Sequence, residues 1–382
     1  MDISVSPSTS NDQDNLRAAL WLKEMPYIKL YQELIDKGTE LLLDRLRRYR
    51  KEIHRLIDDL RGRVKVYKAM YDEDGPASSR IVGVDAGRNG TEYKFAYIPL
   101  YGAVAVLVEN WSIVEEPLCV TGPPDLWTSE VDPDKRESLL HMALEYYVAS
   151  KAVERWKPDY LLLDGGIVLN PRLYPGFKTS PQYEGDFYFT VITVLELLEN
   201  CRKFKVPVLG FVKRTHMSFY TSYTKNPQIR DSILMNFILR EGEYSEPFRV
   251  ENEITQSYKA VAEDLGYSST LPVIYSSYVK TGSMPFRVEI PLFCLDKIEE
   301  LMSIVWTMAG LNGIPYPIHE ADRLSRITRP TSNVHSLVLY SKALELVKRG
   351  EMELKDLDLL LLEYGESWVL NSGLDGLEGE GV

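Results

Sequence analysis

The 382-residue sequence predicts an α/β fold: a mixed sheet flanked by helices, with a long helical extension at the amino terminus and a helical carboxy-terminal region. Two observations predict it. Apolar residues recur at helical spacing over residues 14–70, and then the period changes to short β-branched and aromatic runs between 80 and 111. Beyond that, long helical stretches alternate with short apolar runs such as Leu161–Leu163 and Val206–Val212. These divisions suggest a helical extension over 1–75, a central domain over 76–335, and a terminal helix with an acidic tail over 336–382.

In the extension, Leu30, Leu34, Leu41, Leu42, Leu46, Ile53, Leu56 and Leu60 form the apolar stripe of one long helix. The run from Asp72 to Ser79, with Gly75 and Pro76 inside it, breaks that helix. Three runs, Arg80–Ala86, Tyr93–Pro99 and Ala103–Trp111, read as consecutive antiparallel strands, with Asn89-Gly90 and Tyr101-Gly102 in the turns. A loop rich in Pro and Gly leads to a helix over Asp134–Trp156 and a buried strand over Asp159–Leu163 that ends at Asp164-Gly-Gly. A helix over Phe187–Phe204 precedes the strand Val206–Val212. An irregular polar stretch then precedes strands at Val273–Val279 and Phe286–Ile290. Helices over Leu295–Met308, Ile318–Thr328 and Val334–Lys348 complete the pattern. The last ten residues, rich in Gly and acid, read as disordered.

The composition, 45% apolar and 26% charged, is that of a globular protein. No run approaches the roughly 18–20 apolar residues of a membrane span. Met1–Asp14 is polar and acidic, unlike a signal peptide. Three widely spaced cysteines (Cys119, Cys201, Cys294) point to reduced thiols and a cytoplasmic setting. A net charge of -12 weighs against nucleic-acid binding, but charge is local. Between Asp44 and Lys68 the sequence carries ten Lys/Arg, among them Arg47, Arg48 and Lys51, against four acids. That segment is either a solvated helical face or a phosphate-facing surface.

Four acidic positions stand out. Asp85 lies in the first strand, Glu145 on the following long helix, Asp164 at the end of the next strand and Asp322 on a late helix. A carboxylate set in an apolar strand is costly unless it is paired or holds a metal. Hard divalent ions such as Mn²⁺ or Mg²⁺ take such oxygen ligands, and two of them can neutralise and orient a phosphodiester for attack by water. This order of acids, on three antiparallel strands, a helix and a strand parallel to the first, resembles that of RNase H-like nucleases. Glu137 is a rival to Glu145 on the helix. Lys213 follows an apolar strand, as a phosphate contact or as a surface lysine. Arg287 is either a phosphate ligand or an outward strand residue, and Tyr316 either a stacking partner of the substrate or a packed aromatic.

Five short motifs in order resemble those of the NurA family of archaeal DNA repair nucleases: IVGVDAG (81–87), YLLLDGG (160–166), VLGFVKRTHMS (208–218), PFRVEIP (285–291) and PYPIHEADRL (315–324). The resemblance implies that Asp85, Glu145, Asp164 and Asp322 bind the metal. It also implies 5′–3′ exonuclease and single-strand endonuclease activity in processing DNA double-strand breaks, a homodimer, and a hexameric HerA-type translocase as partner. Many members carry His where Asp322 stands, and His319 lies one turn earlier on the same side, so Asp322 alone, His319 or both complete the site. Ala86-Gly87 also replaces the usual Gly-Ser. The alternatives are an actin-like or sugar-kinase-like ATPase, which would need a duplicated core and a late Gly-Gly motif that the sequence lacks, and a non-catalytic scaffold for a translocase, which the acidic set disfavours.

Overall fold

The computed structural model describes residues 27–72, 75–128, 132–176, 179–213, 215, 218–222 and 229–360. The expectations for residues 1–14 and for the tail beyond 360 fall outside this range. The chain forms two compact units, Met1–Leu60 and Arg61–Val382. In the first, helix α1 (Tyr27–Arg61) carries Ile35, Leu41, Leu42, Leu43 and Leu46 exposed. Arg47, Arg48 and Lys51 are exposed too, with Arg48 ion-paired to Asp44.

The second unit is built on a large mixed sheet. Its first strand, β1 (Val66–Lys68), lies inside the segment read as helical extension. Next come β2 (Ile81–Arg88), β3 (Tyr101–Glu109), β4 (Leu118–Thr121), helix α2 (Pro133–Trp156), β5 (Tyr160–Leu163), helix α3 (Pro181–Phe204) and β6 (Val208–Val212). Antiparallel pairing joins β4 to β3 and β3 to β2, while β2, β5 and β6 are parallel neighbours. That is the RNase H-like order expected, with one correction. The middle strand is not Tyr93–Pro99, whose Tyr97–Ile98 instead pairs with Thr91–Glu92 in a separate small sheet. β2 pairs directly with β3, Tyr101-Gly102 opens β3 instead of forming a turn, and the third strand is β4, from the segment read as loop. Only four residues long and followed by Gly-Pro-Pro, β4 carries too short a pattern to read.

The polar stretch before residue 273 is also more ordered than its sequence suggests. It holds helix α4 (Asp231–Ile238), β7 (Glu243–Ser245), the short strand Phe248–Arg249 and helix α5 (Glu253–Asp264). Strands β8 (Ile274–Lys280) and β9 (Pro285–Pro291) follow, and β6, β9, β8, β7 and β1 run on in antiparallel succession. Among the described residues this half of the sheet has no second aspartate at a strand end, the mark that the duplicated core of an actin-like ATPase would carry. Helices α6 (Ile298–Thr307), α7 (Tyr316–Ser325) and α8 (Arg329–Lys348) complete the unit. Ala343 on α8 is covered by Leu357 and Leu360, whereas Val334, Leu337 and Val338 stay exposed. Among the described residues no helix is long and apolar enough to cross a membrane.

Two glycines decide how α7 seats on the sheet. Gly83, Asp85 and Gly87 alternate onto one face of β2. A Cβ on Gly83 would stand 2.1 Å from the Pro317 carbonyl oxygen, and one on Gly87 2.0 Å from that of Ser325. Backbone thus lies on backbone at both positions, and α7 runs along the strand that holds Asp85. Gly83→Ala and Gly87→Ala should each cost about 1–3 kcal/mol of stability through overpacking. Chemical unfolding measures this, and unchanged stability would show that α7 does not seat so closely.

Candidate metal centre

The site sits at the carboxyl edge of β2 and β5. Val84 pairs with Leu163, so Asp85 and Asp164, each one residue further on, point to the same face. From α7, the helix seated on Gly83 and Gly87, Asp322 joins them. One carboxylate oxygen from each of Asp85, Asp164 and Asp322 lies within 4.8 Å of the others, the only such group of potential metal ligands among the described residues. Lys213, just past β6, completes the face: its Nζ donates to Asp164 Oδ2 at 2.5 Å and lies 3.6 Å from Asp322 Oδ1.

Glu145 reaches the same edge from α2. A Cβ on Gly165 would lie 3.8 Å from Glu145 Oε1 and 3.9 Å from Oε2, which places this carboxyl beside the turn after Asp164. Glu145 is buried, and its Oε1 has no hydrogen-bond partner among the described residues. The rival, Glu137, plays another part. It is fully buried and accepts hydrogen bonds from the Leu100 amide (2.7 Å), the Tyr97 hydroxyl (2.8 Å), and the Gly90 amide and Arg88 Nη1 (both 3.3 Å). Glu137 pins the turns around β2 and β3 together.

Electrostatics mark the cluster as strained without a cation. Burial, then the Asp85 charge, pushes Asp164 up to about 7. Burial also raises Asp85, although the Ser325 hydrogen bond and Lys213 oppose it. Burial and the charges of Asp85 and Asp164 carry Glu145 well above the ordinary carboxylate range. Burial disfavours the Lys213 ammonium, but Asp164, Asp322 and Asp85 outweigh that and hold it protonated. Between the unfolded carboxyl value and about 7 the folded cluster therefore holds protons that its unfolded carboxyls have lost, so its contribution to stability falls as pH rises through this window, while the buried His141, pushed down to about 4, works the other way. Relative to Asp164→Asn, the metal-free wild type should therefore lose thermal stability from pH 5 to pH 8. A wild-type melting temperature that rises over this range in the same proportion as the variant's would contradict it.

The remaining sequence candidates fall elsewhere. His319 is exposed and lies outside the cluster, so the position one turn later, Asp322, is the one brought in. Tyr316, at the start of α7, packs against Trp111 with ring centroids 5.8 Å apart. A rise of 1.5 Å per residue puts it about 9 Å along the helix from Asp322. Arg287 is on the wrong face: through Leu163↔Gly210, Gly210↔Glu289 and Val212↔Arg287, the register places it on the Val84 side of the sheet. There it is ion-paired with the fully buried Glu289 at 2.9 Å. Two residues that sequence reasoning missed touch the acids directly. The Ser325 hydroxyl donates to Asp85 Oδ2 at 2.5 Å, and Arg326 Nη2 donates to Asp322 Oδ2 at 2.6 Å.

The cluster fits a hard divalent ion. Its facing groups are carboxylate oxygens, and a buried carboxylate oxygen without a donor is costly until a cation covers it.

The NurA domain model matches residues 79–327 of the chain. No curated protein matches the sequence. Among solved structures the chain is similar to the NurA nuclease from Sulfolobus solfataricus, with 16% identity and a TM-score of 0.62 over 86% of this chain and 99% of that one. A second NurA crystal structure aligns at 12% identity and a TM-score of 0.50, over 86% and 99% of the two chains. A NurA bound to dAMP and manganese aligns at 12% identity and 0.48, over 78% and 94%. Identities this low speak to the fold, but the matched domain covers more than half of the sequence, spans every strand from β2 to β9 together with α7, and takes in all four carboxylates; the chain belongs to the NurA family.

Proposed function

We propose that the chain is a divalent-metal-dependent deoxyribonuclease. The observation that carries this reading is the convergence of Asp85, Asp164 and Asp322, within 4.8 Å, beside the buried Glu145. These four carboxylates hold the metal, Mn²⁺ or Mg²⁺, with two ions the expected number. A bound divalent ion supplies neutralisation of the phosphodiester charge and activation of water. Lys213 steadies Asp164 and offers its remaining ammonium hydrogens to a phosphate oxygen. Cleavage of end-labelled single- and double-stranded DNA with Mn²⁺, Mg²⁺ or EDTA tests the proposal and gives the polarity, expected to be 5′–3′ with endonucleolytic cuts in single strands. No cleavage with either metal would refute it.

The same reading includes work on DNA ends in the cytoplasm, as a homodimer, with a HerA-type hexameric ATPase. The exposed apolar residues of α1 (Ile35, Leu41, Leu42, Leu46) and of α8 (Val334, Leu337, Val338) support self-association, since exposed apolar stripes mark interfaces. Light scattering at micromolar concentration measures it, and a monomeric mass would refute it. Arg47, Arg48 and Lys51 supply the local positive charge that a chain of net charge -12 needs to hold DNA. Reversing all three to Glu should weaken DNA binding at least tenfold at low salt and leave Mn²⁺ affinity unchanged. Wild-type DNA affinity would show that this face is merely solvated.

A further inference from the structure

Asp85 belongs to the first strand of the core, and what holds its carboxylate comes from the far end of the domain. Ser325, the last residue of α7, is buried, with 6% of its surface exposed. Its hydroxyl lies 2.5 Å from Asp85 Oδ2 and 3.3 Å from the Asp322 carbonyl oxygen. A hydroxyl has one proton to give, and the closer charged acceptor is Asp85. The contact depends on Gly87, because the Ser325 carbonyl oxygen occupies the space that a Cβ there would need.

We propose that Ser325 is a positioning residue of the metal centre: its hydroxyl fixes one oxygen of Asp85, so that the carboxylate stays turned toward Asp164 and Asp322. Without that bond the side chain has reason to turn away, because the Asp164 and Asp322 carboxylates crowd it with like charge. Arg326 restrains Asp322 in the same way, at 2.6 Å, so the end of α7 orients two acids from two different elements. Partners that orient metal ligands are typically worth 10–100-fold in metal affinity.

The role rests on the metal-site reading above, and the test separates the two. Mn²⁺ is titrated calorimetrically, without DNA, into the full chain, Ser325→Ala and Ser325→Thr, with thermal unfolding of each metal-free protein in parallel. The expected result is Mn²⁺ binding weakened about 10–100-fold in Ser325→Ala and largely restored in Ser325→Thr, which keeps the hydroxyl. A Ser325→Ala protein that unfolds earlier yet binds Mn²⁺ as tightly as wild type would overturn the positioning role alone. Wild-type protein that binds no Mn²⁺ would overturn the metal centre and this role with it.

Discussion

Asp85→Asn and Asp164→Asn should each reduce DNA cleavage by roughly 10³-fold or more while leaving the fold intact. A metal ion's charge stabilisation is worth several kcal/mol, and each 1.36 kcal/mol is tenfold in rate. Asn keeps the shape of Asp and can still accept the Ser325 hydroxyl at position 85, so the local packing survives. What disappears is one negative charge from a cluster whose oxygens lie within 4.8 Å of each other. Because burial and mutual repulsion raise Asp85 and Asp164, removal of either charge should not lower the melting temperature of the metal-free protein at pH 8. Single-turnover cleavage with Mn²⁺ and circular dichroism measure both halves. Wild-type rates in either variant would remove that aspartate from the site.

The second large effect separates two glutamates on one helix. Glu137→Gln should cost about 3–5 kcal/mol, the range for breaking a buried charge pair by removing one partner. Gln presents an amide to a pocket lined by donors: the Leu100 and Gly90 amides, the Tyr97 hydroxyl and the Arg88 guanidinium. The unit Arg61–Val382 is larger than the 150–250-residue domains for which each kcal/mol shifts the melting temperature by about 2–4 °C, so the fall should be several degrees. Glu145→Gln should do the opposite. Its Oε1 has no donor among the described residues and burial holds its carboxyl neutral, so the near-isosteric Gln costs little; stability should hold while Mn²⁺ affinity and cleavage collapse. Thermal unfolding and metal titration of the two variants make the comparison. Equal metal loss in both, or a stable Glu137→Gln, would reject this division of roles.

Much of the fold was legible in the residues. The switch from helical period to short β-branched runs located β2, β3, β5, β6, β8 and β9 to within a few residues. Asp85 and Asp164 could be picked out because each follows an apolar run, a costly place for a carboxylate that is neither paired nor bound to a metal. The glycines at 83 and 87 carried a further signal that the sequence reading did not use. Glycine two residues to either side of a strand aspartate marks one face cleared for another backbone, although the sequence does not name that backbone.

The tertiary structure alone decided the rest, because period and spacing specify the face of an element and not what lies opposite it. Glu137 and Glu145 are both buried on α2, about 12 Å apart along the axis, and only the position of the sheet's edge gives one the metal centre and the other the turns. His319 and Asp322 differ by a single helical turn, and the seating of α7 on Gly83 and Gly87 brings in the second. Arg287 alternates correctly for an exposed or a buried face; the register through β5, β6 and β9 puts it opposite Asp85. Ser325 stands 240 residues from the aspartate it holds, a separation at which sequence pattern carries no information and only the packing of α7 along β2 closes the distance.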